Sequence, residues 1–242
     1  MEPTARPAGV YVTGTDTGIG KTVASTALLH ALRARGLRAA GMKPVASGCE
    51  RVDGAWRNED ALALQAASDP RPAYADANPF ALPDATAPEI AARRAGVAVD
   101  LAPIAAAYGR IAAQADVVVV EGVGGWAAPL SARLDQIDVV RLLGLPVLLV
   151  VGNRLGCINH ARLSAAAVAA AGARLLGWIG NDVDPQLRER DEYFALLGPR
   201  LPAPCLGRLP YRAAPDPRAD AAALDLAPLL EGLRQPRAAG QR

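Results

Sequence analysis

Four groups of residues could do chemistry. The first is Gly14-Thr15-Asp16-Thr17-Gly18-Ile19-Gly20-Lys21-Thr22, set between the apolar run Val10–Thr13 and a helical pattern. Backbone N–H groups of such a loop can cradle phosphate at a helix N-terminus. Lys21 would reach the outer phosphates and the Thr22 hydroxyl would bind Mg²⁺. The spacing is unusual: five residues, not four, separate Gly14 from Gly20, and Thr15 holds the strict first-glycine position. The second group is Glu121, which ends the run Asp116–Val120 and precedes Gly122-Val123-Gly124-Gly125-Trp126. An acid at the tip of a buried strand beside a phosphate loop is a usual second anchor for Mg²⁺. The glycines after it let backbone approach a ligand closely.

The third group is Arg57-Asn58-Glu59-Asp60, where a helical stretch begins. Either acid can serve as a third metal-side carboxylate, or simply face the helix dipole. The fourth is Gly41-Met42-Lys43-Pro44-Val45-Ala46-Ser47-Gly48. Lys43 there can stabilise negative charge developing on a transferred phosphoryl group, and Ser47 can hydrogen-bond a substrate. Lys21 and Lys43 are the only lysines among 26 basic residues. Where arginine has replaced lysine everywhere else, a retained lysine marks a place for a compact point charge.

These groups need elements to hold them. Val10–Thr13, Leu37–Lys43, Asp116–Glu121, Pro146–Val151, Leu175–Asn181 and Cys205–Leu209 read as buried strands. Helical periodicity fills Thr22–Arg35, closed by Gly36, and also 59–67, 88–95, 101–115, 135–143, 159–171 and 186–197. Alternation of this kind implies an α/β fold, a mostly parallel sheet with helices on both faces. Ligands then bind beyond the carboxyl ends of the strands, where the four groups fall. The Pro-, Ala- and Asp-rich segment 69–88 reads as a loop. Residues 1–233 read as a single domain, with 234–242 a frayed tail.

Composition narrows the function. The chain has 242 residues and a formal net charge of +2, which gives no electrostatic footprint for nucleic acid. No apolar run suits a membrane span, and the first nine residues lack the apolar core of a secretion signal. Cys49, Cys157 and Cys205 are odd in number and far apart, so neither a disulfide framework nor a structural zinc site is expected. His30 and His160 read as ordinary helix residues. A cytoplasmic protein is the expectation.

Six segments then carry a resemblance. Thr13–Thr22 (TGTDTGIGKT), Lys43–Gly48 (KPVASG), Arg57–Leu64 (RNEDALAL), Val120–Leu130 (VEGVGGWAAPL), Val150–His160 (VVGNRLGCINH) and Gly177–Val183 (GWIGNDV) resemble, in order, the dethiobiotin synthetase family. The resemblance covers the chain from Val10 to Tyr211 and implies a P-loop NTPase-like fold. It also implies ring closure of 7,8-diaminononanoate (7,8-diaminopelargonate) with CO₂ and ATP, giving dethiobiotin, ADP and phosphate through a carbamate and a carbamic-phosphoric anhydride. Lys43 matches the family's active-site lysine, with Lys21 beside it. Thr22, Asp60 and Glu121 match its Mg²⁺ positions, which selects Asp60 over Glu59. Gly18, Ile19, Gly20, Lys21, Thr22 and Val23, with Glu121, Gly122, Val123 and Gly124, match its nucleotide-phosphate loops. Asn181 and Asp182 match adenine contacts, and Pro210, Tyr211 and Arg212 a further ATP-binding segment. Thr17 and Ser47 match substrate-binding positions. Gly156, Cys157, Ile158 and Asn159, with Tyr193, match a substrate-carboxylate site that the family builds across a homodimer. From the residues alone, the preferred readings are Asn159 as a helix N-cap, Tyr193 as part of the apolar stripe of its helix, and Cys157 as a packed thiol rather than a nucleophile.

Three positions depart from the family: Gly18 replaces a glutamate, Pro217 stands near an expected acidic ribose contact, and Pro88-Glu89 replaces a Pro-His pair. A P-loop switch ATPase of the partition or site-selection type shares the expected fold. That group carries an extra lysine early in the loop, where this chain has Asp16. Another amide- or ring-forming P-loop synthetase is the third reading, and the 43–48 and 150–160 segments favour the diamine substrate over it.

Overall fold

The computed structural model describes residues 8–235. The chain opens with strand β1 (Ala8–Gly14), the phosphate loop and helix α1 (Lys21–Ala34), followed by β2 (Ala39–Met42). An excursion follows: β3 (Val45–Ser47), a hairpin of β4 (Glu50–Val52) and β5 (Ala55–Arg57), α2 (Glu59–Ala67), α3 (Tyr74–Ala77), β6 (Phe80–Leu82) and α4 (Pro88–Ala95). Regular alternation then resumes with α5 (Leu101–Ala112), β7 (Val117–Glu121), α6 (Gln136–Leu143), β8 (Val147–Asn153), α7 (Cys157–Ala170) and β9 (Leu175–Asp182). The chain continues through α8 (Arg190–Leu197), β10 (Cys205–Leu209), α9 (Pro217–Asp220) and α10 (Ala227–Arg234).

Six strands form one parallel sheet in the order β10-β9-β8-β1-β7-β2. Burial on both faces explains the unbroken valine runs, since side chains alternate between two cores. Val10, Val12, Val117, Val119, Leu148 and Val150 pack with α1, α2 and α10 on one face. Tyr11, Val118 and Val120 pack with α4, α5 and α6 on the other, and Leu149 and Val151 pack beneath α7 and α8. The fold class read from the sequence is therefore the one observed.

Local chemistry sets the helix starts. Asn58 caps α2 by accepting from the Ala61 N–H, and Asp100 caps α5 through Ala102. Asp135 and Asp138 form a reciprocal capping box on α6.

Several expected boundaries move. The segment 69–88 is not a plain loop: it holds α3 and β6, and β6 pairs in parallel with β3, with Ser47 opposite Leu82. Buried Leu82 anchors that small sheet to the apolar core. The helix expected from Asn159 starts at Cys157, because Gly156 turns the chain into it. The helix expected from Gln186 starts at Arg190. Helices α9 and α10 were not anticipated, because each is short and carries a proline near its start. Arg234 ends α10 rather than beginning a tail, and residues 236–242 and 1–7 lie outside the described residues.

Candidate active site

Sheet register brings the two key groups of β2 and β7 side by side. Met42 pairs with Val120, so Lys43 and Glu121 emerge together at the carboxyl edge. The Lys43 Nζ donates to Glu121 Oε1 at 2.6 Å and to Asp60 Oδ2 at 2.9 Å. The Thr22 hydroxyl donates to the same Glu121 Oε1 at 2.9 Å. Thr22, Lys43, Asp60 and Glu121, drawn from four parts of the sequence, thus form one cluster. Burial alone would push the Lys43 ammonium down, but Glu121 and Asp60 outweigh it and hold it above its ordinary value. Burial acts upward on Asp60, and Lys43 more than cancels it, leaving that carboxyl below its usual range.

Lys21 occupies the first turn of α1, its Nζ donating to the Asp16 carbonyl at 2.9 Å. Burial first, then the charge of Lys43, pushes its ammonium down to about 8. Two buried cations beside each other are arranged for an anion. Gly20 has φ 77°, and a Cβ there would lie 2.0 Å from Asn181 Nδ2. That close approach exists because Asn181 Nδ2 donates to the Ile19 carbonyl at 2.9 Å, locking the phosphate loop against β9.

Whether the cluster suits a metal is testable on its donors. Glu121 is fully buried, yet its Oε2 has no partner. An orphaned carboxylate oxygen in such a place is costly unless a cation completes it. Among the described residues no group of three His, Cys, Asp or Glu side chains forms a cage. Two carboxylates and a hydroxyl fit the habit of Mg²⁺, which takes its remaining ligands from phosphate and water.

The glycine loop after Glu121 is held from below. Gln136, fully buried at the start of α6, accepts from the Val123 N–H at 2.8 Å and donates to the Val123 and Gly125 carbonyls. The Tyr11 hydroxyl donates to the same Gln136 Oε1 at 2.7 Å. Gly122 must be glycine here, because a Cβ would fall 2.2 Å from Gln136 Oε1. Burial, reinforced by Glu121, pushes the Tyr11 hydroxyl strongly upward, so it stays a donor. Sequence reasoning missed both residues: Tyr11 looked like any strand position and Gln136 like any helix start.

Gly18, Gly20, Val23, Asn181, Asp182, Pro210, Tyr211 and Arg212 line a cavity of about 210 Å³ beside the phosphate loop. All eight are positions that the family resemblance assigns to ATP, and the fold brings them together. The Asp182 side chain is fully engaged, accepting from Asn153 at 2.8 Å and pairing with Arg208 at 2.9 Å. Gly18 is exposed, and among the described residues no atom lies within 4 Å of a Cβ placed there, so its departure disturbs no packing. A larger cavity of about 750 Å³ is lined by Ala8, Gly9, Pro146 and Arg174, at the opposite pole of the sheet. It contains none of the site residues expected from the sequence.

The remaining expected positions are placed as follows. Thr17 is exposed on the loop crest, its N–H bonded to Asp16 Oδ1. Ser47 is half-buried on β3, its carbonyl accepting from Asn58 Nδ2 at 3.4 Å. Gly156 precedes α7, with Cys157 buried, Ile158 half-buried and Asn159 exposed. Burial pushes the Cys157 thiol up, as suits a packed residue. Tyr193 is half-buried on α8, against the cluster that holds Cys157 and Ala161. Arg154, just before α7, forms an ion pair with Asp16 of the phosphate loop. Among the described residues, Asn159 and Tyr193 are not part of the Lys43 cluster.

A parallel sheet with a strand–loop–helix phosphate cradle and an acid at the neighbouring strand tip defines a nucleotide-binding P-loop protein. A model of the AAA domain family matches residues 8–218. Among solved structures, the chain resembles the MinC:MinD cell division complex of Aquifex aeolicus, with a TM-score of 0.52 at 14% identity over 85% of this chain and 82% of that one. At that identity the likeness concerns the fold alone. The chain is 64% identical to the ATP-dependent dethiobiotin synthetase BioD of Xanthomonas oryzae pv. oryzae (strain PXO99A) over 91% of its own length and 99% of that protein. It is 65% identical to the protein of that name from Xylella fastidiosa (strain 9a5c), over 83% of this chain and 89% of that one. The chain belongs to the ATP-dependent dethiobiotin synthetase family, which are ligases.

Proposed function

We propose that this chain closes the ureido ring of dethiobiotin from 7,8-diaminononanoate, CO₂ and ATP, in biotin synthesis. The observation that carries the reading is the meeting of Lys43, Asp60, Thr22 and Glu121 next to Lys21 of the phosphate loop. One substrate amine adds to CO₂ and loses a proton, giving a carbamate. A carbamate oxygen attacks the γ-phosphorus and ADP leaves. The second amine attacks the carbonyl carbon, phosphate leaves, the amine loses a proton and the ring closes.

Carbamate and triphosphate repel each other, so the site must concentrate positive charge. Lys21 is placed for the outer phosphates and Lys43 for the carbamate and the moving phosphoryl group. Both are buried, where a fixed charge acts through a lower dielectric than water's. Thr22, Asp60 and Glu121 would hold Mg²⁺, which when bound supplies further charge against the triphosphate. Asn181 and Asp182 frame the adenine, with Pro210, Tyr211 and Arg212 along the nucleotide.

Substrate binding in this reading needs a second copy. Leu163 is 62% exposed and shares one face of α7 with Asn159, four residues before it, and Leu155, 76% exposed, stands just before the helix. A homodimer packed on that face would set the N-terminal N–H groups of Gly156 to Asn159 against the distal carboxylate, with Ser47, Thr17 and Tyr193 around the substrate. The buried free thiols Cys49 and Cys157 suit the cytoplasm, and no described helix is long and apolar enough to cross a membrane. The test is phosphate release from Mg-ATP, with mass detection of the product. Release that needs both the diamine acid and bicarbonate supports the proposal. Substrate-independent hydrolysis by folded protein opposes it.

A further inference from the structure

We infer that Tyr74 and Asn78, on and just after α3, are positioning residues that set Lys43 against Asp60 through a hydrogen-bonded relay. The inference rests on the roles given above to Lys43 and Asp60.

The ladder of edge strand β2 with β7 ends at Met42, so Lys43 lies just beyond it. Its backbone is held instead by two consecutive residues of the excursion. The Lys43 N–H donates to the Ala77 carbonyl at 2.6 Å, and Asn78 Nδ2 donates to the Lys43 carbonyl at 2.7 Å. Asn78 Oδ1 in turn accepts from the Tyr74 hydroxyl at 3.0 Å. That hydroxyl accepts from the Asn58 N–H at 2.7 Å. Asn58 caps α2, whose first turn carries Asp60.

One chain of donors and acceptors thus runs from the base of Asp60's helix to the backbone of Lys43. All its dipoles point the same way, so each bond polarises the next. Asn58 and Asn78 are 5% and 3% exposed, so water offers them little alternative. The covalent route between the two ends passes through the hairpin β4–β5, whose first strand is wholly exposed. The relay links the two ends inside the protein, beside the packing of α2 on β2, where the Gly41 N–H donates to Ser68 Oγ at 2.8 Å. The Arg57 guanidinium, 4.2 Å over the Tyr74 ring, holds that ring in place without using its hydroxyl. Cutting the relay leaves every group that touches substrate intact but loosens the 2.9 Å Lys43–Asp60 pair.

The test uses Tyr74→Phe, which removes one oxygen and keeps the Arg57 stack, together with Asn78→Ala, the double variant and Lys43→Gln. Steady-state kinetics are measured in all four. A second readout is ¹⁵N-lysine NMR, in which a chain with lysines only at 21 and 43 gives two side-chain signals. The relay predicts kcat lower by about tenfold or more in each single relay variant, with the KM for ATP within about twofold. It predicts a double variant little worse than the worse single one. The Lys43 signal should shift or broaden in Tyr74→Phe while Lys21 stays in place. Near-parental kcat with an unmoved Lys43 signal in Tyr74→Phe overturns the relay, even if Asn78→Ala fails to fold. Near-normal turnover in Lys43→Gln would instead overturn the role of Lys43, and the relay's purpose with it.

Discussion

The Lys43 ammonium lies 2.6 Å from the Glu121 carboxylate because parallel pairing of β2 with β7 delivers both to one edge in register. The contact is buried on both sides. A buried pair of this kind adds little net stability, because desolvation offsets the attraction. Its value lies in holding a point charge at a fixed place. Lys43→Arg keeps the charge but carries it on a larger planar group, which cannot reach both Glu121 and Asp60 from the same backbone. Turnover should fall by at least about a hundredfold. The melting temperature should stay within about 3 °C of the parent. Stopped assays and thermal melts check both halves, and near-normal turnover would end the assignment.

Gln136 carries the floor of the glycine loop. In Gln136→Leu, the Val123 N–H, the Val123 carbonyl and the Tyr11 hydroxyl lose their partner inside the protein, and the Gly125 carbonyl keeps only the Ala128 N–H. Denaturant unfolding should show a loss of about 3 kcal/mol. Tyr11→Phe removes one bond of the set and should lose about 1 kcal/mol. Equal losses in the two variants would mean that the clamp does not act as described.

Gly20→Ala is expected to weaken ATP binding. The new methyl meets Asn181 Nδ2 at 2.0 Å and the backbone has φ 77°. The loop must shift, at a cost of about 2 kcal/mol, which corresponds to more than about tenfold in affinity. Titration calorimetry with ATP reads it directly, and unchanged affinity would count against the loop as the phosphate cradle.

Much of this site was legible in the sequence, and the reasons differ by residue. Lys21, Thr22 and Glu121 follow from local pattern: glycine spacing, a strand before, a helix after. Lys43 stood out by residue count before any motif did. Asp60 was not separable from Glu59 on pattern alone, since both open the same helix, and only Asp60 reaches Lys43 in the fold. Asn78, Tyr74 and Gln136 were illegible, because each acts by reaching another residue's backbone. The segment 69–88 hid α3 and β6 for a related reason. Four and three residues are too few to show a period, and what fixes them is pairing with β3 and packing on the core.

The α7 face gives a prediction about assembly. Leu163→Asp places a charge on an exposed apolar helix face, far in sequence from the Lys43 cluster. With the homodimer as described, sedimentation velocity should show the parent as a dimer and the variant shifted to monomer, with activity falling alongside. A monomeric, fully active parent would remove the second copy from the substrate site.

In the proposed reaction, a carbamate oxygen attacks the γ-phosphorus at the Lys21–Lys43 site. The most direct measurement follows that oxygen. Single-turnover reaction with freshly dissolved ¹⁸O-labelled CO₂, followed by mass analysis of the phosphate, shows where it goes. Heavy oxygen should pass into phosphate in step with ring closure. Unlabelled phosphate beside a product of dethiobiotin mass would contradict it.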